Sequence, residues 1–340
     1  MQPFVPIGMR PPGLASGVNT ELESRRGPGS PYVDLFPLDE HAARRTTTVD
    51  VSLPAHSRDV IAVRLKGQDL RGHARRHAVT ASADVRLELD ADSKEIRAVD
   101  GADAVADDLL GVAVGSGYRR RMTDWLDDSL LGSLLDQLPH VVFLVGYTQM
   151  LDAPPEGESP AAQERLVARR DGCAAYAPTA TIPTWIVRYG HQPVPRGPVI
   201  SPDHPSADWH TFPALPPLSL RRARLLDVCP SEGGVTVRSM FRDTNVDRNS
   251  QSTVLHEYTL RVDLDDAHRV VDVEATPRVL PWRECPAAAS SADKLIGLAV
   301  SDLRSWVTPN LQGSTTCTHL NEAFRALADT DYLLSTIVPA

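Results

Sequence analysis

The chain has 340 residues, 42% of them hydrophobic and 23% charged, with 44 Asp and Glu against 35 Lys and Arg for a formal net charge of −9. That length exceeds the usual size of one core and predicts two globular units, while the acidic balance argues against a nucleic-acid partner, which needs a concentrated positive face. Four cysteines (Cys173, Cys229, Cys285 and Cys317) are too few for a disulfide framework and point to a reducing compartment with free thiols or metal ligands.

No apolar run is read as reaching the roughly 18–20 residues that cross a bilayer, and Met1–Pro6 lacks the features of a signal peptide. The expected location is cytoplasmic, with no membrane partner. Residues 1–41, rich in Pro and Gly, read as a flexible N-terminal extension, with little periodicity before Tyr32–Phe36. Strands are predicted at Thr46–Val51, Val60–Leu65 and Val85–Asp90, the last in strict alternation. Leu109, Leu110, Tyr118, Met122 and Trp125 are spaced for one helix face, Leu130 to Leu138 continue the helical pattern, and Val141–Val145 reads as a buried strand.

Residues 151–217 hold many of the 28 prolines and read as a connector, because proline fixes φ and cannot donate to a ladder. Beyond Leu218 the first half is restated. Arg44–Val51 matches Arg221–Val228 at an offset of 177, and Val63, Arg64 and Asp69 match Val237, Arg238 and Asp243 at 174. Val85–Asp90 matches Leu260–Asp265 at 175, and Leu110–Val114 matches Ile296–Val300 at 186. Four collinear matches imply an internal duplication. The predicted fold class is therefore α+β, two related repeats at 42–150 and 218–340, each a strand-rich unit followed by helices, with the first degenerate and the second carrying the site.

The reactive residues concentrate near the C-terminus. Gly313–Asn321 holds a thiol, an imidazole, an amide and four hydroxyls ahead of a helical pattern at Leu320, Phe324 and Leu327. Cys317 and His319 share a side if the chain enters that helix extended, with Thr316 or Thr318 as N-cap. A cysteine at a helix N-terminus is expected to favour the thiolate. With His256 and Cys285, these residues suit Zn²⁺ as a His256, Cys285, Cys317 and His319 ligand set. Without metal, Cys317 serves as nucleophile with a nearby imidazole, His319 or His256, as base and Asn321 or Glu257 orienting it. The structural alternative makes the cysteines small buried hydrophobes. Two further groups stand out: Gly115–Arg121, a glycine bend whose Arg119, Arg120 and Arg121 either face solvent or hold an anion, and Asp203–Pro205 with Asp208–His210, which resemble a ligand cluster.

His256–Tyr258, Pro277–Pro286, Leu295–Gly297 and Thr316–Asn321 together resemble a bacterial family catalogued only as a domain of unknown function, whose members end in a Gly-Cys-Thr-His-Leu motif; here Thr316 replaces the glycine. The first half, through Gly115–Arg119 and Leu134–Pro139, looks like the actinobacterial long form of that family. The resemblance implies that His256, Cys285, Cys317 and His319 occupy the family's motif positions, and it supplies no reaction. The expected function is a small-molecule enzyme, hydrolase or lyase-like, with either a Zn²⁺-bound or a thiolate Cys/His site. The alternative is a non-catalytic ligand-binding or assembly module. The oligomeric state is not legible.

Overall fold

Val49 and Val51, Ile61, Val63 and Leu65, and Val85, Leu87 and Leu89 all point to one side of a sheet, as the period of two in an extended chain requires. The computed structural model describes residues 38–54, 59–73, 76–152, 160–195, 197–200 and 208–337; Tyr32–Phe36 and most of the N-terminal extension lie outside them. Among the described residues, eight antiparallel strands form a single sheet: β1 (Ala43–Ser52), β2 (Val60–His73), β3 (Arg76–Asp90), β4 (Ile96–Asp100), β5 (Ser219–Ser231), β6 (Gly234–Val246), β7 (Ser252–Leu264) and β8 (Val270–Val279). Their order is β4-β3-β2-β1-β5-β6-β7-β8. The class is mixed α and β, and the two predicted units share one continuous sheet, joined where β1 pairs with β5 from Ala43↔Val228 to Ser52↔Ser219.

Two meanders flank that seam, and their local geometry recurs. The β2–β3 ladder shifts register between Asp69 and Leu70, and the β6–β7 ladder between Asp243 and Thr244. Gly111 N–H donates to Ile96 C=O and Val114 N–H to Lys94 C=O; Gly297 N–H donates to Val270 C=O and Val300 N–H to His268 C=O. Both glycines have positive φ, 76° and 85°, a region that favours glycine. Across the seam Arg44 grips Asp227 at 2.6 and 2.7 Å, and Arg221 grips Asp50 at 2.6 and 2.7 Å.

Helix α1 (Leu130–Asp152) runs across β1, β2 and β5. Val141–Val145, expected as a strand, lies in the middle of it. An apolar run does not distinguish a buried strand from a buried helix, and Pro139, which normally costs a helix one hydrogen bond, sits inside it. Leu130–Leu151 is long and apolar enough to cross a membrane, but 67% of its apolar window is buried in the protein, so it serves as the core helix under the sheet. The helix expected over Leu109–Trp125 is broken into short turns, Ala106–Leu109 and Tyr118–Arg121, by Gly111 and by Gly117 at φ 85°.

Much of the predicted connector is folded. Helix α2 (Pro160–Ala168) brings Ala162, and helix α3 (Thr181–Tyr189) brings Ile182, Trp185 and Ile186, into the core of the second half. Their prolines fall in the first turn, where a missing N–H removes no helical bond. Helices α4 (Leu303–Asn310), α5 (Thr318–Ala326) and α6 (Thr330–Ser335) complete that layer.

The opposite face of the seam is covered by Trp209 and Phe212, packed on Ala223, Leu225 and Met240. Between them His210 uses both ring nitrogens, Nδ1 with Thr46 Oγ1 and Nε2 with Thr48 Oγ1, each at 2.9 Å. Burial, then the charges of Lys66 and Arg221, pushes this imidazole down to about 3. The unfolded chain takes up the proton first as pH falls below its value of about 6.5, so the stability contribution is complete above that pH and is lost progressively toward pH 3. His210→Asn should therefore flatten the dependence of unfolding free energy on pH between about 6 and 4, by about 1.4 kcal/mol per unit for one proton. An unchanged slope in urea titrations would refute this role.

Candidate functional site

The β6–β7 register sets Asp243 opposite His256 at the bulge. Arg222, on the neighbouring strand β5, closes a fork on Asp243 at 2.7 and 2.8 Å, and His256 Nδ1 lies 3.1 Å from Asp243 Oδ2. All three side chains are buried. Burial alone raises the Asp243 carboxyl, but Arg222 and then His256 overturn this and hold it well below the usual carboxylate range.

The C-terminal segment delivers the second imidazole. Cys317 is the extended N-cap of α5, at φ −129° and ψ 124°, with no side-chain cap bond; the expected Thr316 or Thr318 cap is not used. Extended backbone turning into helix brings Cys317 and His319 to one side, Sγ to Nδ1 3.8 Å. The His319 ring stacks on His256, centroids 3.7 Å apart. A third imidazole, His140 from α1, meets His319 edge-on at 4.5 Å. Burial first, then His256 and His140, keeps His319 neutral, and burial first, then Arg222, does the same for His140. Both their Nε2 atoms are buried without a hydrogen-bond partner among the described residues, an arrangement that calls for a ligand or a function.

These histidines form the floor of a cavity of about 310 Å³, within the lower range of small-molecule sites. Cys173, Cys285 and Cys317 stand in its wall with Phe143, Tyr147 and Trp282. His256, Cys285, Cys317 and His319, expected to converge, thus all border one space. Among the described residues, the group of three metal-ligating side chains whose atoms all lie within 4.8 Å of one another is Asp243, His256 and His319; Cys317 approaches His319 but is not part of that group. The expected thiolates are also not favoured. Burial, then Cys173, pushes the Cys317 thiol up to about 12, and burial, then Cys317 and Cys173, raises Cys285 well above its ordinary value. Desolvation outweighs the dipole of a short helix.

Two site residues escaped the sequence reading. Asp243 was visible only as a repeat match, and its position beside His256 follows from the bulge. His140 sits with Phe143 and Tyr147 at i, i+3 and i+7 of α1, a pattern that would have marked it had α1 been read as one helix. Other candidates are committed elsewhere. Arg119 is bound to Asp136 at 2.7 Å and Glu322 at 2.6 Å, so it is not free for an anion. Asp208 pairs with His77 at 2.9 Å and Arg44 at 3.6 Å and His210 is on the far face of the sheet, while Asp203–Pro205 lie outside the described residues.

The first half keeps the fork without the histidines. Arg45 grips Asp69 at 2.8 Å, but the partner of Asp69 across the ladder is Ala81. Asp329 fills the remaining space, ion-paired to Arg45 at 3.0 Å and hydrogen-bonded by Ser133 at 2.6 Å.

Residues 220–333, which include β5–β8, His256 and His319, match the family model described as a protein of unknown function (DUF2889). Over this stretch the chain is similar to that uncharacterised family; the expected resemblance over residues 42–219 lies outside the match. No curated protein and no solved structure matches the chain.

Proposed function

We propose that the chain is a small-molecule enzyme, hydrolase or lyase-like, that works with a divalent transition metal of the Zn²⁺ type at the histidine floor of the cavity. One observation carries this reading: a carboxylate and two imidazoles within 4.8 Å of one another, beneath an apolar cavity and beside a buried, unpartnered ring nitrogen of His319. The imidazole nitrogens are donors that suit zinc. Asp243 is already held by Arg222 and faces His256 Nδ1, so its part is to fix the tautomer and aim of His256, as carboxylates behind metal-bound histidines do. The histidine rings, stacked in the free protein, have to fan apart, because zinc bonds of about 2.0–2.1 Å place tetrahedral ligands about 3.3 Å from each other. A bound metal supplies Lewis acidity and a water of lowered pKa. Neutral His140, next to His319, is then the group able to accept a proton.

Two companion readings belong with this one. The matched bulges, glycine bridges and reciprocal seam ion pairs support an internal duplication in which the first copy, with Ala81 in place of His256, retains only a packing role. Four free cysteines support a cytoplasmic setting. One metal equivalent per chain follows.

Equilibrium dialysis against Zn²⁺ and Co²⁺ tests the proposal. His256→Ala and His319→Ala are expected to weaken binding by more than about tenfold, Asp243→Asn by about 10–100-fold, and Cys285→Ser to leave it unchanged. Less than about one-tenth equivalent bound would overturn the metal reading and leave a metal-free Cys/His site or the non-catalytic module, and two equivalents per chain would overturn the single site.

A further inference from the structure

Arg169, immediately after α2, lies between two spaces. It borders the histidine-floored cavity and also a neighbouring one of about 510 Å³, and the two share Phe143, Tyr147 and Arg169. The larger space carries two more cations, Lys94 and Arg165. Among the described residues that line either space there is no Asp or Glu. In a chain of net charge −9, three cations without a carboxylate along one route form a local positive field that draws in anions.

The Arg169 guanidinium stacks on Phe143 at 3.9 Å from the ring centroid and lies 6.0 Å from that of Tyr176. Stacking holds the plane of the guanidinium, which also hydrogen-bonds the Tyr176 side chain, and its remaining N–H donors suit a planar acceptor. Among the described residues Arg169 has no ion-pair partner. The wall it shares with the imidazoles is largely aromatic and apolar, with Tyr147, Tyr176, Ile182 and Leu280.

We infer that the substrate is a small monocarboxylate with an aromatic or other flat apolar body. Its carboxylate sits on Arg169, its body lies against Phe143, Tyr147 and Tyr176, and its reacting end points to His256 and His319. Lys94 and Arg165 guide its entry. This rests on the cavity being the substrate site of the proposed enzyme, and it does not require the metal.

Isothermal titration with benzoate, 3-phenylpropanoate and the uncharged isostere benzamide tests it, on wild-type, Arg169→Met and His256→Ala protein. Methionine keeps the flat packing on Phe143 without the charge. Wild-type protein is expected to bind the carboxylates more tightly than benzamide, with a preference that shrinks as salt rises. Arg169→Met is expected to lose about 10–100-fold for the carboxylates, the size of a charge-assisted hydrogen bond, and to keep its benzamide affinity. His256→Ala is expected to retain the preference. No binding of any probe by wild type, equal affinity for benzoate and benzamide, or an intact preference in Arg169→Met would overturn the inference. If His256→Ala abolishes the preference and Arg169→Met does not, the carboxylate sits at the histidines; this inference then falls and the metal reading stands. Arg169-dependent binding in protein that takes up no metal leaves the inference standing and removes the metal.

Discussion

Asp136→Ala is expected to lower stability by about 3–5 kcal/mol, the cost of stripping one partner from a buried ion-pair cluster. Asp136, on α1, accepts from Arg325 Nη2 at 2.7 and 2.9 Å, Arg119 Nε at 2.7 Å and Arg304 Nη1 at 3.0 Å. Burial alone raises this carboxyl; Arg119, Arg325 and Arg304 together overturn that and hold it well below the usual range. Alanine leaves three guanidinium groups facing one another. Asp136→Asn keeps the volume and one acceptor and should cost less. The contribution of Asp136 is complete above the unfolded-state value of about 3.9 and fades as pH falls below it. Urea unfolding in low and high salt checks both size and origin: the loss should persist in salt, since buried pairs are weakly screened. A loss under about 1 kcal/mol would mean that the cluster is dispensable.

Arg222→Met is expected to cost a similar amount, about 3–5 kcal/mol, because Asp243 is left charged and buried beside His256 alone. Replacing both members, Arg222→Met with Asp243→Leu, should restore much of that stability, since a well-packed apolar pair often equals a buried ion pair. The double variant should nevertheless bind zinc poorly, because nothing then orients His256. Thermal melts and metal titrations on the same preparations separate the two effects. A double variant that melts like wild type and holds a full equivalent of zinc would show that the fork serves neither purpose. A double variant less stable than Arg222→Met would place the role of the pair in folding.

The alternation of Val85–Asp90 and its echo at Leu260–Asp265 made the strands legible, because side-chain direction in an extended chain depends only on neighbours in sequence. Cys317 and His319 were legible for a similar reason, since an extended entry into a helix is a local event. The seam is different in kind. Arg44 and Asp50, and likewise Arg221 and Asp227, stand six residues apart on their own strands, about 20 Å at the rise of an extended chain, so neither pair can close locally. Each finds its partner only when β1 lies antiparallel to β5 and the two pairs exchange members. Val141–Val145 misled because a helix buried by the sheet above it needs no polar face, and without that contrast no period shows.

The sequence by itself determined the strand content of both halves, the collinear echo between them, and the residues able to do chemistry at the C-terminal end. Tertiary structure alone decided that both meanders share one sheet, that α1 carries His140 to His319, and that Asp243 rather than a cysteine joins the histidines. The reason is physical: periodicity, capping and turn preferences act over a few residues, whereas charge pairing and desolvation depend on what is buried alongside. Burial next to Arg222 holds Asp243 ionised, and burial in an apolar wall keeps Cys285 and Cys317 protonated.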